Sequence, residues 1–244
     1  SGVPFERKSD RSPVTQADLE AQAFIDERLY QCMPGIPVFG EELSEEEIKK
    51  RMNGKDHDTY WIVDPLDGTH NFATGIDIFC VSIGLVHKGM PVLGVIYDPV
   101  RKQMFSARRG EGAFLNGMAI STNGMKEYPD YIFFVQMRRL NPRLRAYVSE
   151  FLADNIYRIR EIGSTALKLA WIACGKCDAN IQDHVNFWDS TAGILIAQEA
   201  GGICTDFHGN PIEFTPYGAH ELWVAANEHL HKWVREGIKP YLNE

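Results

Sequence analysis

A chain of 244 residues, 44% hydrophobic and 24% charged, is long enough to bury a substantial core and has the composition of a folded globular protein. Its formal net charge of −8 argues against a nucleic-acid binder that neutralises phosphates with a basic face, so an anionic ligand would need cations brought to its site. No apolar run reaches the roughly 18 residues of a membrane span, no secretory leader opens the chain, and five scattered cysteines read as reduced thiols of a cytoplasmic protein.

From the N-terminus, Ser9 to Asp18 (SDRSPVTQAD) is a polar loop leading into a helix. Ala21, Ile25, Leu29 and Cys32 recur at helical spacing, with Phe24 beside them, until Pro34-Gly35 stops the pattern. Asp18 falls in the first turn, where an acid complements the helix dipole and needs no further role. Val38-Phe39 is a short extended piece delivering Gly40-Glu41-Glu42, and strand alternation lets one of the two acids face a given pocket. The charged segment Ser44 to Asp58 reads as an exposed loop, a flap beside a site.

Trp61 to Gly75 (WIVDPLDGTHNFATG) is the most informative stretch. Trp61, Ile62 and Val63 form the end of a buried strand. Pro65, with fixed φ and no N–H, forces a turn that gathers Asp64, Asp67 and the Leu66 carbonyl at one strand end. Gly68 lets backbone approach a ligand, and Thr69 places a hydroxyl and an N–H at the start of a short helix. Two carboxylates and a carbonyl suit a hard cation such as Mg²⁺, and free N–H groups suit a phosphate. A plain turn built from Asp, Pro and Gly explains the same residues equally well.

Strand-like segments follow at Ile78–His87, Pro91–Tyr97, Gln103–Ala107 and Ala113–Leu115, separated by turn signals, and predict an antiparallel meander. Tyr131–Met137 is a strand, Pro142–Leu152 a helix and Tyr157–Ile162 a strand. Gly163-Ser164-Thr165 opens the helix Ala166–Cys174, where small residues either cap the helix or offer N–H groups. Cys174 and Cys177 make a CxxC, but no second pair or nearby histidine completes a zinc set. Asp178–Ile181 is a short strand, and Phe187-Trp188-Asp189-Ser190 opens the helix Thr191–Ala200, stopped by Gly201-Gly202. Asp189 in that first turn caps the helix or reaches a cation. Ile203–Thr205 and Leu222–Ala226 are strands, and Glu228–Glu236 is a closing helix.

Four blocks, SPVTQAD (12–18), GEE (40–42), DPLDGTHNF (64–72) and WDSTAGILIAQEAGG (188–202), together resemble the inositol monophosphatase family of Mg²⁺-dependent, lithium-sensitive phosphatases, relatives of fructose-1,6-bisphosphatase. The resemblance extends through VSIGL, GVIYDPVRKQMF and GEGAFLNG and covers nearly the whole chain. It implies an α/β fold of layered α/β/α/β/α type, one catalytic domain over 1–244 with two lobes, about 1–130 and 131–244, sharing the cleft, and a homodimer. It implies two or three Mg²⁺ ions held by Glu41, Asp64, the Leu66 carbonyl, Asp67 and Asp189, with Asp18, Thr69 and Glu41 readying water for attack. Asp67, Gly68, Thr69, Gly163, Ser164, Gln182 and Asp189 match substrate contacts.

The expected reaction is hydrolysis of a small phosphate monoester, with no nucleic-acid or membrane partner. Inositol phosphate is the reference substrate, and histidinol phosphate and fructose 1,6-bisphosphate are alternatives. Gln182 stands where inositol-specific members have glutamate; Asp183 and His184 either substitute for it or are solvated. His70 replaces a common threonine. A second class of function is a regulatory or interaction protein that retains the fold.

Overall fold

The computed structural model describes residues 2–7, 13–52, 58–125, 130–215 and 218–242, so residues 8–12 of the polar loop and 53–57 of the charged segment lie outside the described residues. Strands β1 (Glu6–Arg7) and β2 (Pro13–Val14) pair antiparallel ahead of helix α1 (Gln16–Cys32). Strand β3 (Val38–Gly40) and helix α2 (Glu45–Met52) precede β4 (Thr59–Asp67) and the short α3 (Thr69–Thr74). The meander follows as β5 (Cys80–His87), β6 (Met90–Asp98), β7 (Gln103–Arg108), β8 (Ala113–Leu115) and β9 (Met118–Ile120). Then come β10 (Ile132–Val135), α4 (Pro142–Ala146), a π-helical stretch (Tyr147–Leu152), α5 (Ala153–Asn155) and β11 (Arg158–Arg160). The chain closes with α6 (Thr165–Ala173), β12 (Ala179–Asn186), α7 (Phe187–Glu199), β13 (Ile203–Thr205), β14 (Ala219–Ala225) and α8 (Glu228–Leu242).

Besides the β1-β2 pair, two larger sheets form among the described residues, a seven-stranded one in the order β3-β4-β5-β6-β7-β8-β9 and a five-stranded one in the order β11-β10-β12-β14-β13. Helices α6 and α7 lie between them. Leu195, Ile196 and Ala170 pack with Ile96 and Phe105 of the first sheet, whereas Ile194, Leu169 and Ile172 pack with Phe134, Val185 and Leu222 of the second. Both helices are therefore buried on nearly every side, as a central layer requires. Helix α1 covers the outer face of the large sheet through Ile25 and Leu29. The outer face of the small sheet is covered by Leu144, Tyr147, Leu230 and Val234 of the α4 and α8 layer. This is the layered α/β/α/β/α arrangement. The central layer sits close enough that a Cβ on Gly94 of β6 would lie 2.8 Å from the Ala192 carbonyl oxygen of α7. The sheet thereby fixes the helix that carries Asp189.

Several segments differ from the sequence reading. The charged segment contains helix α2, whose apolar Ile48 and Met52 pack beside Phe39 and Tyr60, so it is not simply an exposed loop. Strand β4 continues through Pro65 to Asp67, because a register shift in its pairing with β5 falls between Asp64 and Asp67 and absorbs the missing N–H. Strand β12 runs to Asn186, past an irregularity where His184 takes φ 52°, which hid its length in a polar sequence. Strand β9 was not expected, and α8 extends to Leu242 with Pro240 in its last turn. No helix among the described residues is long and apolar enough to cross a membrane.

Candidate active site

The site lies at the C-terminal end of β4, where the strand is flanked by β3 in parallel and β5 antiparallel. Asp64 and Asp67 are both buried there, and the Leu66 N–H donates to Asp64 Oδ1 at 2.9 Å, which fixes the carboxylate across the turn. Gly68 follows with φ 98°, in the left-handed region, and a Cβ there would lie 2.8 Å from the Ile78 carbonyl oxygen. Glycine is needed on both counts.

Glu41 follows β3 directly, its N–H donating to the Val63 carbonyl at 3.2 Å. Strand alternation predicted one acid of the pair facing a pocket, but both Glu41 and Glu42 line the same cavity. The reason is local: β3 ends at Gly40 and the two acids sit in a turn, where period-two alternation no longer applies. Asp189 arrives from the first turn of α7. Oxygens of Glu41, Asp64 and Asp189 all lie within 4.8 Å of one another. Among the described residues this is the one group of three or more His, Cys, Asp or Glu side chains arranged to hold an ion, so the CxxC forms no such group. Cys177 Sγ points at the Ile132 carbonyl oxygen, 2.9 Å away.

Burial, and then the neighbouring Glu41, Asp67 and Asp189 charges, push Asp64 well above the ordinary carboxylate range. Burial and then Asp67 and Glu41 do the same to Asp189, which meets Asp64 carboxyl to carboxyl. Asp67 is raised by burial but partly restored by donors on α6. Its Oδ2 accepts from Ser164 Oγ and from the Ala166 N–H, both at 2.6 Å. These two bonds tie the end of β4 to the start of α6, and Asp67 lies beside the three-carboxylate group. A cluster of buried oxygens with more negative charge than the protein neutralises fits a hard divalent cation.

Asp18 is fully buried and holds two positions at once. Its Oδ2 accepts from Thr15 N and Thr15 Oγ1 in a capping box, and its Oδ1 lies 3.0 Å from Thr69 Oγ1. Thr69 Oγ1 is also 3.0 Å from the Leu66 carbonyl oxygen. The cap and the contact to Thr69 are therefore both present, one on each carboxylate oxygen.

The cavity has a volume of about 590 Å³, and Gly68, Thr69, His70 and Gly163 also line it. Ser164 lies behind, as the N-cap of α6. Gln182 does not line the cavity; it is fully buried beneath Thr165 and Lys168, which do. Asp183 and His184 pair with each other at 2.9 Å and also lie off the cavity. His70 is exposed and stacks with Phe5 at a ring distance of 6.5 Å.

Sequence reading missed Lys168, Arg139, Gln136 and Asn71. Asn71 Nδ2 donates to the Ile78 and Ile162 carbonyls, both at 2.8 Å, tying α3 to the segment that enters α6. Lys168 is fully buried, and burial pulls its ammonium down to about 8 against the opposing pull of Asp67. Its signal was a lysine alone inside the apolar run TALKLAWIA, which marks a charge that the fold must answer.

Residues 3–241 match the sequence profile of the Inositol monophosphatase family. The chain is 35% identical over 241 residues to the Nus factor SuhB of Pasteurella multocida, covering 97% of this chain and 86% of the relative. It is 34% identical over 236 residues to the inositol-1-monophosphatase of Mesorhizobium japonicum, covering 94% and 84%. The solved extragenic suppressor protein suhB of Bartonella henselae superposes with a TM-score of 0.86 at 33% identity, covering 97% of this chain and 90% of that one.

Proposed function

Because the chain belongs to the inositol monophosphatase family, we propose that it is a Mg²⁺-dependent phosphatase of small sugar or polyol phosphates. The observation that carries this reading is the convergence of Glu41, Asp64 and Asp189 on a space a few ångströms across, with Asp67 beside them. These residues, with the Leu66 carbonyl, would hold two or three ions. Bound Mg²⁺ would supply positive charge for the phosphate oxygens and make water more acidic.

The rest falls to the chain's own groups. Asp18 Oδ1 accepts the Thr69 hydroxyl proton, which leaves the Thr69 oxygen free to accept a proton from water at the cavity floor. Glu41 orients that water from the other side, and the Gly68 and Thr69 amides cradle the phosphate. Asp67, locked by Ser164 and Ala166, keeps the turn from relaxing when the ligand leaves. The five cysteines are all free, which supports a reducing compartment such as the cytoplasm.

The name of the Pasteurella relative, a Nus factor, supports a second reading, in which the chain works as an interaction protein on the same fold. Phosphate release across inositol, sugar, histidinol and nucleotide phosphates separates the two. We expect Mg²⁺-dependent release from at least one class, abolished by chelation; no release from any would favour the interaction protein.

A further inference from the structure

Lys168 is 1% exposed, yet it reaches the floor of the active-site cavity. Of its three donors, one is matched among the described residues, by Gln182 Oε1 at 3.1 Å. The carboxamide of Gln182 is oriented for this. Its Nε2 donates to Gln136 Oε1 at 2.6 Å and to Thr165 Oγ1 at 2.9 Å, so Oε1 must face the lysine. A glutamate at 182 would accept the same bond and cancel the lysine's charge. Glutamine accepts it and leaves the charge standing.

Asp67, Glu161 and Asp189 all attract Lys168, but on the phosphatase reading the charge of Asp67 and Asp189 is committed to cations, and Glu161 is exposed, so that solvent and salt screen it. Arg139 lines the same cavity from its rim, its Nη1 donating to the His184 carbonyl at 3.1 Å, with the remaining face of the guanidinium unmatched among the described residues. Two cations thus face a cavity of about 590 Å³, room for more than one phosphate group.

We propose that Lys168 and Arg139 form a second anion subsite, and that the preferred substrate is a phosphate monoester carrying a further anionic group, a phosphate or a carboxylate, in place of a neutral polyol phosphate. The proposal rests on the phosphatase reading and names its substrate class.

Two matched pairs test it, each differing by one anion: fructose 1-phosphate against fructose 1,6-bisphosphate, and glycerol 3-phosphate against 3-phosphoglycerate. The native chain should favour the doubly anionic member of at least one pair by about tenfold or more in kcat/KM, chiefly through KM. The pair that responds identifies the anion. Lys168→Met and Gln182→Glu should each bring that ratio within about threefold of one. Arg139→Gln, a change on an exposed side chain that does not burden the core, should lower the ratio by about threefold. A native ratio near one in both pairs, or a ratio unmoved by all three variants, overturns the subsite. Dissociation constants for the same pairs, measured by calorimetry with MgCl₂ present, need no turnover. A preserved binding ratio without phosphate release upholds the subsite and overturns the phosphatase reading alone, whereas an absent ratio overturns the subsite.

Discussion

Asp64→Asn is expected to lower kcat/KM by about a thousandfold or more while the chain stays folded. The substitution preserves shape, and the Leu66 N–H can still donate to Oδ1, so the turn survives. What is lost is one of the three clustered carboxylates, Glu41, Asp64 and Asp189, that the proposed cation site needs. Where positioning and charge carry nearly all of catalysis, no other group replaces it.

The same change has an opposite effect on stability, which separates it from simple damage. Asp64 is pushed upward first by burial and then by Glu41, Asp67 and Asp189. A carboxyl raised in the folded state favours folding below its unfolded value and loses that contribution as pH rises through its folded value. In chelator, the native chain should therefore lose stability as pH rises above the ordinary carboxylate range, and Asp64→Asn should lose less. Melting temperatures with and without MgCl₂ should show the variant equal to or above the native chain in chelator, with a smaller gain on adding the ion. Near-native turnover by the variant would refute the assignment.

Thr69→Ala is the second large expected effect, a fall in kcat of about a hundredfold or more with little change in KM. Thr69 Oγ1 stands between Asp18 Oδ1 and the Leu66 carbonyl oxygen, and removing it leaves Asp18 with no relay toward the cavity. Thr69→Ser keeps the hydroxyl and should recover most of the rate, which a packing role for the threonine methyl would not allow. Asp18→Asn is a less clean test, because Asp18 Oδ2 also caps α1 through Thr15. A rate for Thr69→Ala within about threefold of native would remove the pair from the mechanism.

The parts of this site that were legible in sequence are those written by local chemistry. Pro65 between two aspartates dictates a turn at a strand end, and Gly68 follows where only a residue tolerant of positive φ fits. The layered fold followed from family resemblance, with the apolar run of α7 matching its central position. What could not be read depends on distant partners. Glu42 faces the cavity because β3 stops one residue earlier than alternation assumes. Helix α2 was hidden by its charge, since it offers two apolar side chains to Phe39 and Tyr60 and is otherwise tied down by Arg51, which donates to the Val38 carbonyl and to Asp26. Gln182 was matched to substrate by family pattern, but its side chain is occupied by Lys168, Gln136 and Thr165 below the cavity. That occupation became visible only when β12 and α6 were set side by side.

Centrally, acids from the turn after β3, from β4 and from α7 are proposed to share a cation-binding centre. Crystals soaked in MnCl₂ and measured for anomalous scattering test it most directly, because manganese accepts the same oxygen ligands and marks its own position. The account predicts anomalous peaks within coordination distance of Glu41, Asp64 and Asp189, with Asp67 adjacent. Peaks elsewhere, or none among those four carboxylates at millimolar ion, would contradict it.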